Sequence, residues 1–265
     1  MNASAQARRA LEADLKSAVG LDQLELHYQP IQDIRSGAVT AYEALVRWRH
    51  PERGMIPPLD FIPLAEETNL IIPIGAWVLQ KACSDMASRS GDVKVAVNFS
   101  PIQFKNPRLV ETVRSALQAS GLAPHRLKVE ITESTLMQRD SLTIKLLKEL
   151  QSLGVTIAMD DFGTGYSSLS YLQSYPINCI KIDRSFTKTL GEANSATAIV
   201  RAITTLAAAM GMSTIAEGVE TKAQFEELSA LGCTEVQGYY ISAPKPASEI
   251  LPRSDVAPTL QCQAA

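Results

Sequence analysis

The chain has 265 residues, 46% hydrophobic and 20% charged, with a net charge of −3 and acids and bases interspersed. That is globular composition with material for a sizeable core, and without a basic stripe interleaved with aromatics it argues against a nucleic-acid polymer as partner. Four dispersed cysteines (Cys83, Cys179, Cys233 and Cys262) lack C-x-x-C spacing, and there is neither a membrane-length apolar run nor a signal-peptide core, so a disulfide scaffold, a zinc site and membrane contact by this segment are disfavoured and a reducing cytoplasm fits.

In chain order, residues 4–19 (SAQARRALEADLKSAV) read as an exposed helix that connects to something upstream rather than joining the core. Short β-rich runs follow at Leu24–Gln29, Val39–Trp48, Lys94–Phe99, Leu127–Ile131, Thr156–Asp160, Cys179–Asp183, Ser213–Ala216 and Glu235–Tyr240. Helical patterns separate most of them, at residues 73–89, 108–120, 140–154, 193–211 and 221–232, and several end at a glycine. Alternating strands and helices predict a parallel sheet, and eight strands at this length predict a closed α/β barrel of the TIM (β/α)8 type. Only PIQDIRSGA joins the first two strands, too short for a parallel crossover, so one strand near the N-terminus is expected to run antiparallel. From Pro252 onward the sequence loses periodicity. The expected division is a linker helix over 1–20, one domain over 21–251, and a loose tail over 252–265.

In such barrels function collects at the C-terminal ends of strands. Those ends carry Glu43 and Arg47, Asn98, Glu130 and Glu133, Asp160 and Asp161, Lys181 and Asp183, Glu217 and Glu220, and Gln237. Singly, each reads more simply as a cap, a solvated acid or a snorkelling lysine, and Asp183 is best read that way. Together the acids would converge on one mouth and must take up protons or bind cations. The donors are all oxygens, which suits Mg²⁺ or Mn²⁺ rather than zinc, and their number suggests two ions of the kind used on phosphodiesters. Of Lys181 and Arg47, one would then hold an attacking water or developing charge and the other a substrate phosphate.

These residues lie in Glu43-Ala44-Leu45 and its surroundings (YEALVRWRHPERGMIPP), HYQP, FIPLAEET, VNFSPIQF, EITES, DDFGTGYSSL, KIDRSF, AEGVET and QGYY, in that company over about residues 24–246. The chain resembles the EAL-domain phosphodiesterases, which hydrolyse the bacterial second messenger cyclic di-GMP to linear pGpG. The resemblance implies metal ligation by Glu43, Asn98, Glu130, Asp160, Asp161 and Glu217, with Asp160 bridging two ions and Ca²⁺ inhibitory. It implies that Lys181 and Glu217, helped by Gln237, act on the attacking water. Gln29, Leu45, Arg47, Gln237 and Pro244 would line the substrate cleft, with Asp183 beside them. Glu133 would hold the loop after the two aspartates, Gly163, Thr164, Gly165 and Ser167 would form that loop, and Glu220 would support it. The implied fold is a modified TIM barrel whose first strand is the reversed one.

The resemblance further implies a homodimer in which Leu169, Tyr171 and Leu172 are interface or core contacts. It also implies an upstream sensory or cyclase-like domain that would carry any membrane anchor, with a short cloning scar at the start of this segment. The segment YYISAPKP departs from the family, with Ile241 and Ala243 where an aromatic and a basic residue are common. Two other readings are a receptor that binds the nucleotide without cleaving it and an aldolase-type barrel with Lys181 as a Schiff-base lysine. Within the aspartate pair, Ala158 and Asp160 should face the barrel interior. Asp161 should be the first residue free of the pleat, the chain turning beyond it at Gly163 and Gly165 so that both carboxylates serve one site.

Overall fold

The computed structural model describes residues 2–137, 140–163, 172, 174–191 and 194–250. The short connection after Asp33 makes the first two strands a hairpin. β1 (Leu24–Asp33) pairs antiparallel with β2 (Val39–His50), in one register from Leu24 opposite Trp48 to Ile31 opposite Ala41, and then slips by one residue to put Gln32 opposite Val39. Parallel pairing then runs from β2 through β4 (Lys94–Phe99), β5 (Leu127–Thr132), β6 (Thr156–Phe162), β7 (Cys179–Ile182) and β8 (Ser213–Ala216) to the two-residue β9 (Glu235–Val236). β9 pairs antiparallel with β1 and closes the ring, so β1 is the reversed strand. β3 (Gly54–Ile56) and β10 (Lys245–Pro246) add outer edges to β2 and β1.

The barrel is filled in tiers set by the period-two alternation of side chains. Its middle holds Ile31, Ala41, Ala96, Ala158, Cys179 and Ile215, a thin apolar layer between the charged layers above and below. Below, Lys128 and Glu235 form a buried ion pair at 3.7 Å between strands on opposite walls. Two residues further along β5 comes Glu130, and two beyond Glu235 comes Gln237, both in the upper, functional tier. Outside the strands lies the main apolar layer, packed by α2 (Pro58–Glu67), α3 (Ile71–Ala87), α4 (Leu109–Ser120), α6 (Ser141–Ser152), α8 (Asn194–Ala209) and α9 (Lys222–Ala230). Trp48 and Phe61 meet edge-on at 5.6 Å there, both wholly buried, each ring worth roughly 2–3 kcal/mol of burial.

Several expectations need correction. The N-terminal helix α1 (Asn2–Ala18) is exposed over much of its described length, yet Leu15 and Ala18 are core, His50 donates to Asp14, and Arg8 pairs with Glu67 of α2. Its last turn is therefore part of the barrel wall. α2 was hidden by its prolines: Pro58 is tolerated in the first turn, and Pro63 reads as a breaker. The strand expected over Cys179–Asp183 stops at Ile182 because Asp183 caps α7 (Arg184–Lys188), accepting from Ser185 N. That expected over Glu235–Tyr240 stops at Val236, where the chain crosses onto the Val219 backbone. Cys83, Cys179 and Cys233 are free and buried, and among the described residues no helix is long and apolar enough to cross a membrane. Cys262 and the whole tail from Pro252 lie outside the described residues, as do Thr164, Gly165, Ser167, Leu169 and Tyr171; Leu172 is core.

Candidate active site

Lys181 occupies the centre of the upper tier. Period-two alternation from Cys179 points it inward, and it is wholly buried. Its Nζ lies 2.6 Å from Glu217, 2.7 Å from Glu130, 3.2 Å from Asp160 and 3.5 Å from Glu43. Burial opposes the charge on Lys181, but the carboxylates of Asp160, Glu130, Glu217 and Glu43 outweigh it and hold the ammonium well above its ordinary range. An aldolase-type lysine must shed its proton to attack a carbonyl, so this setting counts against the Schiff-base alternative.

Glu43 is held at both oxygens. Asn98 Nδ2 donates to Oε1 at 2.6 Å and Gln237 Nε2 to Oε2 at 2.6 Å. Gln237 also donates to Gln29 at 3.0 Å, and Gln29 in turn donates to the Ser242 carbonyl. Burial alone would raise the Glu43 pKa, but Lys181 and these two amides pull it below the usual value. Glu130 goes the other way: burial, reinforced by Glu43 and Asp160, pushes it well up against the pull of Lys181. Burial and the same acids push Glu217 up to about 7.

The aspartate pair is arranged differently from the expectation. β6 continues through Phe162, and its pairing with β7 slips between Met159 and Phe162. Asp161 sits in that slip with φ +57°, a left-handed conformation that Asp tolerates better than most side chains. A bulge at Asp161 itself, rather than a turn at the glycines beyond, brings the second carboxylate to the first one's side. One carboxylate oxygen each from Asp160, Asp161 and Glu217 lie within 4.8 Å of one another. Burial and the charges of Asp160 and Asp183 raise the Asp161 pKa. Glu133, first residue of α5 (Glu133–Met137), accepts from Gly163 N at 3.4 Å, at the start of the loop.

Beside this centre opens a cleft of about 300 Å³. Of the residues expected at the substrate cleft, Gln29, Leu45, Arg47 and Pro244 line it; Glu220, expected to support the loop, lines it too, and Glu43, Glu217 and Gln237 form its inner wall. Asp183 is occupied as a helix cap, with Ser185 as its partner. Four lining residues escaped the sequence reading: Arg184, Tyr239 and the glycines Gly218 and Gly238. An exposed tyrosine just after the last strand was a visible signal. For Arg184 the signal was its place just past the end of β7, in KIDRSF, which Lys181 and Asp183 overshadowed.

The donor set fits an oxygen-preferring divalent cation. Four carboxylates face one ammonium, Asp161 adds a fifth beside Asp160 and Glu217, and Glu130 Oε1 is buried with no hydrogen-bond partner among the described residues. In the metal-free protein the raised Glu217 pKa means folding binds a proton that the unfolded chain releases near 4.5, so this contribution to stability is lost as pH rises from there to about 7. Ion binding must displace that proton. Stabilisation of the protein by Mg²⁺ or Mn²⁺ in thermal melts should therefore be small at about pH 5.5, grow as pH rises through about 7, and level off above. Equal shifts at acid and alkaline pH would contradict the assignment.

The family profile described as EAL domain matches residues 12–244. An uncharacterized signaling protein of Caulobacter vibrioides is 49% identical over 246 residues, covering 93% of this chain and 30% of that protein. The bifunctional diguanylate cyclase/cyclic di-GMP phosphodiesterase MucR of Pseudomonas aeruginosa is 45% identical over 255 residues, covering 95% of this chain and 37% of MucR. A solved structure described as PaMucR phosphodiesterase, c-di-GMP complex, superposes with a TM-score of 0.88 at 44% identity, covering 91% of this chain and 100% of that one. The chain thus spans about a third of the length of the curated relatives it matches.

Proposed function

This chain belongs to the EAL domain family, and from that premise we propose that it is a divalent-metal phosphodiesterase opening cyclic di-GMP to linear pGpG. The observation that carries the reading is the convergence of four carboxylates on one buried lysine at the barrel mouth, beside a cleft bearing two guanidinium groups. Water adds across one P–O3′ bond, leaving a 5′-phosphate on one nucleotide and a 3′-hydroxyl on the other. Mg²⁺ or Mn²⁺, held by Glu43, Asn98, Glu130, Asp160, Asp161 and Glu217, would supply Lewis acidity and a more acidic water. Asn98 and Gln237 fix the Glu43 carboxylate from its two sides, so its lone pairs are aimed before substrate arrives. Lys181 lies between Glu217 and Asp160, placed to hold the attacking oxygen, and Glu217 is the group placed to take its proton. Arg47, half-buried at the cleft wall, meets a substrate phosphate, while Gln29, Leu45 and Pro244 shape the floor and rim.

Glu133, which accepts from Gly163 N, would hold the start of the loop after the aspartates, and Glu220 would support it; Thr164, Gly165 and Ser167 lie outside the described residues. The match to a bifunctional diguanylate cyclase/phosphodiesterase, of which this chain covers 37%, supports a longer protein with an upstream cyclase-like domain, and the family resemblance adds a homodimer to the proposal. Incubation with Mg²⁺ or Mn²⁺ and cyclic di-GMP should yield pGpG by chromatography. Tight binding without product would make the chain a receptor instead.

A further inference from the structure

The cleft is flanked by two arginines from opposite walls of the barrel. Arg47 extends from β2, and Arg184 follows directly after β7, four places away around the ring of eight strands. Arg47 is half-buried and donates to its neighbour's carbonyl, Val46 O, at 2.9 Å. Arg184 is exposed and has no hydrogen-bond or ion-pair partner among the described residues. The acid beside it, Asp183, is engaged by Ser185.

Arg184 reaches the cleft through a close approach. Gly218, which follows Glu217, has φ +67°, and a Cβ built there would lie 2.6 Å from Arg184 Cβ. The glycine lets the start of α7 lie directly against the loop that carries Glu217. That contact brings an unpaired guanidinium to the side of the cleft across from Arg47, among the acids Glu43, Glu217 and Glu220.

A cyclic dinucleotide brings two phosphodiester charges. The group being cleaved belongs at Lys181 and the carboxylates. The other would face the acids of the cleft unless a cation answers it. We propose that Arg184 is a specificity-determining residue that binds the phosphate not being cleaved, and so favours two-phosphate substrates over simple phosphodiesters. This rests on the phosphodiesterase reading above and extends it to a residue that takes no part in bond cleavage. Guanidinium suits the task because its planar fork can bind two phosphate oxygens at once.

The test compares two substrates on the wild-type chain, Arg184→Gln and Arg184→Lys. For cyclic di-GMP, Arg184→Gln should raise KM about 10-fold, the size of one charge-assisted hydrogen-bonded contact, and leave kcat within about twofold. Arg184→Lys should recover part of the loss, keeping the charge without the fork. For bis(4-nitrophenyl) phosphate, which carries a single phosphodiester, kcat/KM should be unchanged in both variants. An unchanged KM for cyclic di-GMP, or equal losses on both substrates, would overturn the assignment. A wild-type chain that cleaves bis(4-nitrophenyl) phosphate but not cyclic di-GMP would instead overturn the substrate reading, and the role of Arg184 with it.

Discussion

Replacing Lys181 by methionine should lower turnover of cyclic di-GMP by roughly 10³-fold or more, and should also make the metal-free protein less stable at alkaline pH. The two effects share one cause. Lys181 is the cation facing Glu43, Glu130, Asp160 and Glu217 at 2.6 to 3.5 Å, deep in the barrel. Without it, carboxylates that are buried must either stay charged without a partner, at a cost of roughly 3–5 kcal/mol, or take up protons. The melting temperature of the variant should accordingly fall furthest below wild type at about pH 8 and approach it at about pH 5, as Glu130 and Glu217, both shifted up by burial, take up protons. Mg²⁺ should restore more stability to the variant than it adds to wild type, because the ion replaces the missing charge. It should not restore turnover, because the attacking oxygen has lost its donor. A variant with near wild-type turnover would remove Lys181 from the chemistry.

Gly238→Ala should be the most damaging small substitution in the barrel. A Cβ at Gly238 would lie 2.1 Å from Val219 O and 2.2 Å from Val219 N, and neither is the movable end of a side chain. The same crossing is sewn by backbone bonds: Val219 N donates to Gln237 O and Tyr240 N to Val219 O. Moving these strands apart would break that pairing and displace Gln237, which donates to both Glu43 and Gln29. The expected loss is about 3 kcal/mol or more in denaturant unfolding, with activity falling further than the unfolded fraction explains. A variant as stable as wild type would mean that the two backbones do not meet this closely in solution.

What the sequence made legible follows from short-range rules. The strand–helix alternation and the short connection after Asp33 were enough for a barrel with a reversed strand near its start, and pairing places that reversal at β1. Position at the C-terminal ends of strands collected Glu130, Asp160, Lys181, Glu217 and Gln237, alternation turned Asp160 inward, and motif resemblance added Gln29 and Leu45. What was missed depends on contacts between distant segments. The left-handed backbone of Asp161 belongs to a slip in pairing between β6 and β7, and the adjacent glycines drew attention away from it. β9 is short because Gly238 meets Val219, nineteen positions earlier in the chain. α2 was obscured by Pro63, which its packed neighbours Phe61, Leu64 and Ala65 override. Arg184 was overshadowed in KIDRSF by Lys181 and Asp183, and Gly218 is what lies against it in the fold. The last turn of α1 read as linker because Leu15 and Ala18 lie among charges in sequence, though both pack inward.

The central claim is that this cluster of carboxylates around one lysine performs ion-dependent cleavage of cyclic di-GMP. It is tested most directly by following product formation with the purified chain in Mg²⁺, Mn²⁺, Ca²⁺ or EDTA, with Glu43→Gln alongside. The account predicts pGpG with Mg²⁺ or Mn²⁺, inhibition by Ca²⁺, none with EDTA, and a loss of roughly 10³-fold in Glu43→Gln. Intact cyclic di-GMP after prolonged incubation of folded, Mg²⁺- or Mn²⁺-supplied protein, or equal turnover in EDTA, would contradict it.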